Sequence, residues 1–335
     1  MASKQEALTA ARSHGSPQTL GKGLVIIGVG YQWLYNGLNF LAFKVGGEAF
    51  HPLMLAALRF GIAAILISPF AAWRWRRRPA SAPELAGAAV LGPVMLIGSQ
   101  TLAIWGTHFL PAGVASVFGS AAPVFLALFA WVFFRETPGA RQLMGIGLGL
   151  IGLAAMGLLS SSGNGFRPIG AVMTLTASAL WAAGSLGTSR LQLPSDPAIG
   201  LAAQLLPTGI ILALIVWFTG ISASLHPSTV PLRAWGVLAF LVVASTLIGY
   251  AVFLALSRSA SSLLANSFNY VAPVIALVLS ACFLKEPVGL GKLIAASITL
   301  AGVALMVGTR AKIAPSSCST ITPPHSATSR CGGRT

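Results

Sequence analysis

The chain has 335 residues, of which 55% are apolar and only 8% charged, and it carries a formal net charge of +15; its mean hydropathy is +0.81. Soluble domains carry about 25% charged residues, and a core of this size cannot hide so much apolar surface, so a soluble globular protein is excluded and most of the chain must face lipid. The basic excess lies between apolar runs and not on one polar surface, so it reads as membrane topology and a nucleic-acid partner is excluded.

In chain order, residues 1–22 are polar and contain no hydrophobic region of a signal peptide, so they read as a cytoplasmic N-terminal segment. Ten apolar stretches follow, at 23–43, 52–72, 85–107, 112–134, 143–159, 169–189, 198–219, 235–256, 263–284 and 293–308. Each approaches the ~20 residues that cross a bilayer as a helix. Breaks fall at His51-Pro52, at His108 to Pro111 and at Glu136-Thr137-Pro138. Residues 309–335, rich in Ser, Thr and Pro, read as a disordered cytoplasmic tail. Cys282, Cys318 and Cys331 form no disulfide framework. The chain is thus expected to be an all-α integral membrane protein.

Residues 115–156 match residues 265–306 at a constant shift of 150, with Phe118/Phe268, Pro123/Pro273, Phe133/Phe283, Glu136/Glu286, Gly139/Gly289 and Gly152/Gly302 identical. Apolar composition raises chance matches at Ala and Leu, not at Pro, Glu and Phe in one register, so the chain is a doubled unit. The two copies cover 23–159 and 169–308 with five spans each. An odd number of spans turns the second copy upside down relative to the first, the inverted-repeat plan of secondary transporters. With a cytoplasmic N-terminus, fifteen basic residues fall inside and five outside, with Arg59 left within a span. The positive-inside rule then places both termini in the cytoplasm.

His51-Pro52 followed by Leu55-Ala56-Ala57-Leu58-Arg59-Phe60 resembles the second helix of EamA-type proteins of the drug/metabolite transporter superfamily. So do Ala121-Ala122-Pro123-Val124 with Phe134-Arg135-Glu136, and their copies Val271-Ala272-Pro273-Val274 and Leu284-Lys285-Glu286. Leu180-Trp181-Ala182, at the start of the second half, is also similar. The resemblance covers about residues 23–308. It implies ten transmembrane helices, a bacterial cytoplasmic (inner) membrane location, and transport of small metabolites, often export of amino acids or related compounds. It also implies a cavity surrounded by helices one, three, four, six, eight and nine.

The first span holds the strongest candidate site. Gln32, Tyr35, Asn36 and Asn39 fall on one helical face, and four polar groups would not face lipid. They read as a substrate-binding stripe or as interhelical glue, worth about 0.6 kcal/mol per bond. In the ninth span, Asn266, Asn269 and Tyr270 precede Pro273; in its copy, Ser116 and Ser120 precede Pro123. Proline frees a carbonyl in the preceding turn, so these turns line a cavity or form a packed kink. Gln100, Thr101 and Trp105, Trp181 and Ser185, and Ser245, Thr246 and Tyr250 are further cavity candidates from the implied architecture. Arg59 is the basic residue deepest in an apolar run; it either holds a substrate carboxylate or is structural. Lys44, near an interface, reads as snorkelling. Glu136 and Glu286, beside Arg135 and Lys285, read as interfacial ion pairs at helix ends, with proton coupling the alternative. His108 could titrate near neutrality. Gly145 and Gly149 form a GxxxG face for close helix packing, or for a homodimer.

A secondary transporter exporting a small metabolite by alternating access is the leading expectation, with a small-molecule substrate, membrane lipids as partners and no cofactor. Gly289-Leu290-Gly291-Lys292-Leu293 lacks the spacing of a nucleotide-binding loop. An intramembrane enzyme would need paired carboxylates, a metal cluster or a nucleophile with its base; the chain has one Asp and no HExxH, so no catalytic residues or metal ligands are assigned. The remaining alternative is a non-transporting membrane scaffold.

Overall fold

A computed structural model describes residues 21–135, 137–161, 166–188, 191–259, 267–286 and 288–307. Among these, ten helices follow one another: α1 Lys22–Ala49, α2 Pro52–Trp75, α3 Ala82–His108, α4 Ala112–Phe134, α5 Ala140–Ser161, α6 Pro168–Thr188, α7 Pro197–Phe218, α8 Leu232–Ser259, α9 Phe268–Phe283 and α10 Leu290–Val307. Seven of them, α2 to α8, are long and apolar enough to cross a membrane; α9 and α10 are shorter apolar helices. The terminal segments, Glu136 and Asn266 lie outside the described residues.

The helices differ from the expected spans where end chemistry intervenes. α1 runs on past residue 43 to Ala49 because Lys44 is accommodated at the bundle end: its Nζ donates to the His108 carbonyl at 3.2 Å. A cation at the C-terminus of α3 is favourable there. α3 begins at Ala82, before the expected 85, because Glu84 accepts from the Ser81 backbone N–H and hydroxyl and starts the helix. α4 is two segments, Ala112–Gly119 and Ala122–Phe134, with Pro123 in the first turn of the second, where it has no N–H to lose. α3 and α8 each contain nine residues of π-helix, Pro93–Thr101 and Phe240–Ile248. The hydroxyls of Thr101 and Thr246 reach back five residues to the carbonyls of Leu96 and Leu241.

Packing follows the sequence repeat. α2 packs on α7, α4 on α9 and α5 on α10, each on its own counterpart. The α1/α9 contact has its equivalent in α6/α4, and α1/α8 in α6/α3. This is the pattern of a pseudo-two-fold axis relating two inverted five-helix repeats. Arg135 and Lys285, ending α4 and α9, share one left-handed conformation, with φ of 54° and 53°.

Polar and apolar residues are sorted as lipid requires. Gln32, Arg59, Gln204 and Thr208 are buried, while Trp217, Phe218, Leu158 and Phe283 stand exposed on the outside. The main apolar core joins α1, α2, α7 and α8 around Leu55, Phe60, Leu205 and Leu241.

The Gly145/Gly149 face is used within the chain. A Cβ on Gly145 would lie 2.6 Å from the Gly302 carbonyl oxygen, and one on Gly302 would lie 2.5 Å from the Gly149 nitrogen. With no association of apolar surface to drive them together in lipid, α5 and α10 hold by this close backbone approach, so this face is closed to a second copy. Gly302→Leu is therefore expected to destabilise the protein by about 1–3 kcal/mol, seen as a lower thermal midpoint in detergent. Gly147→Leu, at a position with open space around it, should leave that midpoint unchanged.

Candidate functional site

The polar stripe of α1 turns onto α8. Gln32, 2% exposed, donates through Nε2 to the Gly249 carbonyl at 3.2 Å. Asn36 donates through Nδ2 to the Gln32 carbonyl at 2.8 Å and to Gln32 Oε1 at 3.1 Å. Tyr35 packs against Gly249, where a Cβ would stand 2.8 Å from its Cζ and 3.1 Å from the Ala244 carbonyl oxygen. Tyr31, which the sequence reasoning passed over, donates to the Ala244 carbonyl at 2.7 Å and its ring lies 5.3 Å from that of Tyr35. Asn39 is buried, and its Oδ1 has no hydrogen-bond partner among the described residues. An unmet buried acceptor in a native fold calls for an explanation.

One turn earlier along α8, Arg59 of α2 is held by three neutral acceptors. Its Nε donates to Thr246 Oγ1 at 2.9 Å, Nη2 to Ser245 Oγ at 3.0 Å and Nη1 to Gln100 Oε1 at 3.4 Å. Its guanidinium carbon lies 4.9 Å from the Phe60 ring centre and 5.5 Å from that of Phe43. Arg59 thereby joins the π-helical turns of α3 and α8, and π turns recur at functional sites. Gln204 of α7 completes the group, donating through Nε2 to the Tyr250 hydroxyl at 3.2 Å. Gln32, Tyr35, Asn36, Gln100 and Tyr250 thus meet in one polar cluster with Arg59, Gln204, Ser245 and Thr246. Two apolar clefts of about 320 and 330 Å³, between α1 and α8 and between α9 and α10, include none of these residues. Gln32, Arg59, Gln204, Ser245 and Thr246 of the cluster are buried, and Tyr35, Asn36, Gln100 and Tyr250 are half-buried.

Other expected residues lie elsewhere. Trp105 meets His51 edge to face at 5.7 Å, at the start of α2. That is about 12 Å along the helix from Arg59 at 1.5 Å per residue. Trp181 is half-buried on α6, one residue beyond Leu180, which packs against Gly98 of α3. Asn269 is half-buried on α9. Tyr270 points away, donating to the Val303 carbonyl of α10 at 3.3 Å among Val124, Ala127 and Met306. Ser120 is buried and donates to its own Val117 carbonyl at 2.7 Å. The carbonyls of Phe118 and Gly119 at the break in α4 accept from Ser178 of α6 at 3.1 Å each. The proline-side turn of α4 is therefore a kink packed against α6. α9 is tied to α1 in the corresponding place, Trp33 Nε1 donating to Ser267 Oγ at 2.8 Å.

The ends of the bundle are pinned by carboxylates. Glu286, expected in a local ion pair with Lys285, instead accepts from the backbone N–H groups of Ala112 at 2.8 Å and Gly113 at 3.3 Å. It caps the N-terminus of α4 across the repeat boundary, where four backbone donors would otherwise be unmet. Asp196, the N-cap of α7, accepts from Ala198 and from Arg74 at the end of α2.

A pseudo-symmetric ten-helix bundle with an apolar exterior and a polar cluster between its helices is the plan of a multi-pass membrane transporter. Residues 21–158 and 168–308 each match the EamA-like transporter family, and the chain belongs to it. The chain is 32% identical over 245 residues to the "uncharacterized inner membrane transporter YedA" of Escherichia coli strain K12, covering 72% of this chain and 77% of that one. It is 28% identical over 282 residues to a "probable amino-acid metabolite efflux pump" of Salmonella typhimurium, covering 81% and 90%. It is 27% identical over 274 residues to a "probable terminal-alkyne amino-acid exporter" of Streptantibioticus cattleyicolor, covering 80% and 88%. A solved crystal structure shares the fold with a TM-score of 0.57 at 19% identity, over 87% of this chain and the whole of that one.

His51 caps α2 through an acceptor nitrogen: Nδ1 accepts from the Leu53 N–H at 3.3 Å. Partial burial, then the nearby His108, hold its imidazole below the ordinary histidine range. A histidine with a lowered folded pKa binds its proton more readily in the unfolded chain. Its stability contribution is therefore present above about pH 6.5 and falls as the pH drops from there through the folded pKa. His51→Asn, which keeps a capping acceptor that does not titrate, should flatten the decline of the thermal midpoint between pH 7 and pH 5.

Proposed function

We propose that the chain is a secondary exporter of a small amino-acid-like compound in a bacterial cytoplasmic membrane, working by alternating access of its two inverted repeats. The observation that carries this reading is the polar cluster of α1, α2, α3, α7 and α8, inside a bundle whose outside is apolar. Polar groups at that depth are costly and mark substrate pathways. The relatives named as amino-acid efflux pump and exporter support the substrate class. Within the cluster, Tyr35, Asn36, Gln100 and Tyr250 are half-buried and form its accessible edge, and the unmet Asn39 Oδ1 offers an acceptor to a donor on the cargo. In this reading Trp105, Trp181 and Asn269 serve as secondary contacts.

The π turns give a physical basis for movement. Their i−5 hydrogen bonds are weaker constraints than a regular α-helical ladder, and the break in α4 supplies a hinge. Exchange of conformations between the repeats then moves access from one membrane face to the other. Both termini face the cytoplasm, as the distribution of basic residues favours.

Two experiments test the reading. In proteoliposomes loaded with a panel of labelled amino acids and related metabolites, the wild-type chain is expected to release at least one compound. Asn36→Ala and Asn39→Ala are expected to cut that flux by about tenfold while the purified proteins remain monodisperse, since a lost hydrogen bond is worth about 1 kcal/mol or more when its partner is left buried. Normal flux in both variants would remove this site, and absence of flux for every compound would favour a scaffold. For topology, single cysteines at Gly139 and Gly289, introduced after Cys282, Cys318 and Cys331 are replaced, should label from opposite sides of the membrane. Labelling from one side would overturn the inversion.

A further inference from the structure

We infer that Arg59 is the point at which this protein holds a carboxylate of its cargo. The inference rests on the export reading above and names the chemistry for which that site selects.

The first argument is charge. Arg59 is 4% exposed, and none of the described carboxylates is its partner. Of the four acidic residues described, Glu48 is exposed, Glu84 caps α3 with Ser81, Asp196 pairs with Arg74 and Glu286 caps α4. Arg59 faces two hydroxyls, one amide oxygen and two aromatic rings. These neutral groups orient a guanidinium but leave its charge uncompensated in a medium where that is costly. A guanidinium has five N–H donors. The three bonds described leave one donor on each terminal nitrogen for an incoming group.

The second argument is the repeat. Arg59 stands seven residues after Pro52, which opens α2 behind the N-cap His51; Gln204 stands seven residues after Pro197, which opens α7 behind the N-cap Asp196. The two helices pack on each other as counterparts. At the same register, the second repeat ties its helix to α8 with a neutral amide, Gln204 to Tyr250. A hydrogen-bonded tie at this depth is thus built without a charge in one half of the molecule. The charge in the other half has a different use. A guanidinium fork matches a planar carboxylate in two parallel hydrogen bonds, and the burial of Arg59 strengthens the pair. The half-buried Tyr35, Asn36 and Gln100 frame the side from which such a group would arrive.

The test compares each transported L-amino acid with its carboxamide and with the corresponding decarboxylated amine, in proteoliposomes of the full-length chain. The wild type is expected to carry the acid at least about tenfold better than either analogue, because the site otherwise keeps an unmet buried charge. Arg59→Gln, which gives the first repeat the residue of the second, is expected to abolish that preference, and Arg59→Lys to keep it. A role confined to holding helices together would lower all fluxes in proportion and leave the acid-to-amide ratio unchanged. If Arg59→Gln fails to fold, the wild-type ratio and the Arg59→Lys ratio decide. Equal carriage of acid and amide by the wild type, or an undiminished acid preference in Arg59→Gln, overturns the inference while export stands. Failure of the wild type to carry any compound overturns the export reading itself.

Discussion

A buried guanidinium sets the terms for the middle of this protein. Arg59 lies two turns into an apolar helix, and its charge must be surrounded by acceptors or the helix would not remain in the membrane. Those acceptors come from α3 and α8: Gln100, Ser245 and Thr246. Thr246 donates in turn to Leu241 five residues back, at 2.8 Å, closing a π turn. Satisfying the charge, the shape of α8 and the junction of α2 with α3 and α8 are therefore one problem with one solution. The tyrosines and amides of α1 then pack on the carbonyls and the glycine that this turn presents, Ala244 and Gly249.

The inverted repeat distributes two kinds of contact. Largely apolar or glycine-lined pairs, α2 with α7 and α5 with α10, join each helix to its counterpart. α5 and α10 act as a rigid seam because their backbones touch, and such contacts have no second arrangement. α1 is tied to α8 by Tyr31 on Ala244, within the π turn, and by Gln32 on Gly249, just after it, and α6 is tied by Ser178 to the break in α4. Glu286 closes one end by capping a helix that belongs to the other repeat.

Chemistry is unequal between the halves although the architecture is shared. α1 presents Gln32, Tyr35 and Asn36 where α6 presents Ala177, Leu180 and Trp181. α2 carries Arg59 where α7 carries Gln204. The polar groups of the cluster thus come from α1, α2 and α3 of the first repeat and from α7 and α8 of the second, with the charge carried by the first.

The sequence alone determined the membrane class, the doubling, the number of helices and the polar face of α1. Each of these follows from composition, from a constant shift of 150 or from helical period, which are local or linear properties. Tyr35 and Asn36 were legible as turned away from lipid because polar side chains within an apolar span have few places to go. What the tertiary structure decided was partnership. Gln32, Ser120 and Tyr270 share one sequence signature, a polar residue within an apolar span, yet Gln32 reaches α8, Ser120 is folded onto its own helix and Tyr270 onto α10. The acceptors of Arg59 stand 41, 186 and 187 residues away in the chain, and Glu286 caps a helix 174 residues before it. No period or spacing encodes such pairs; they arise when helices far apart in sequence pack side by side and each buried polar atom takes the partner within reach.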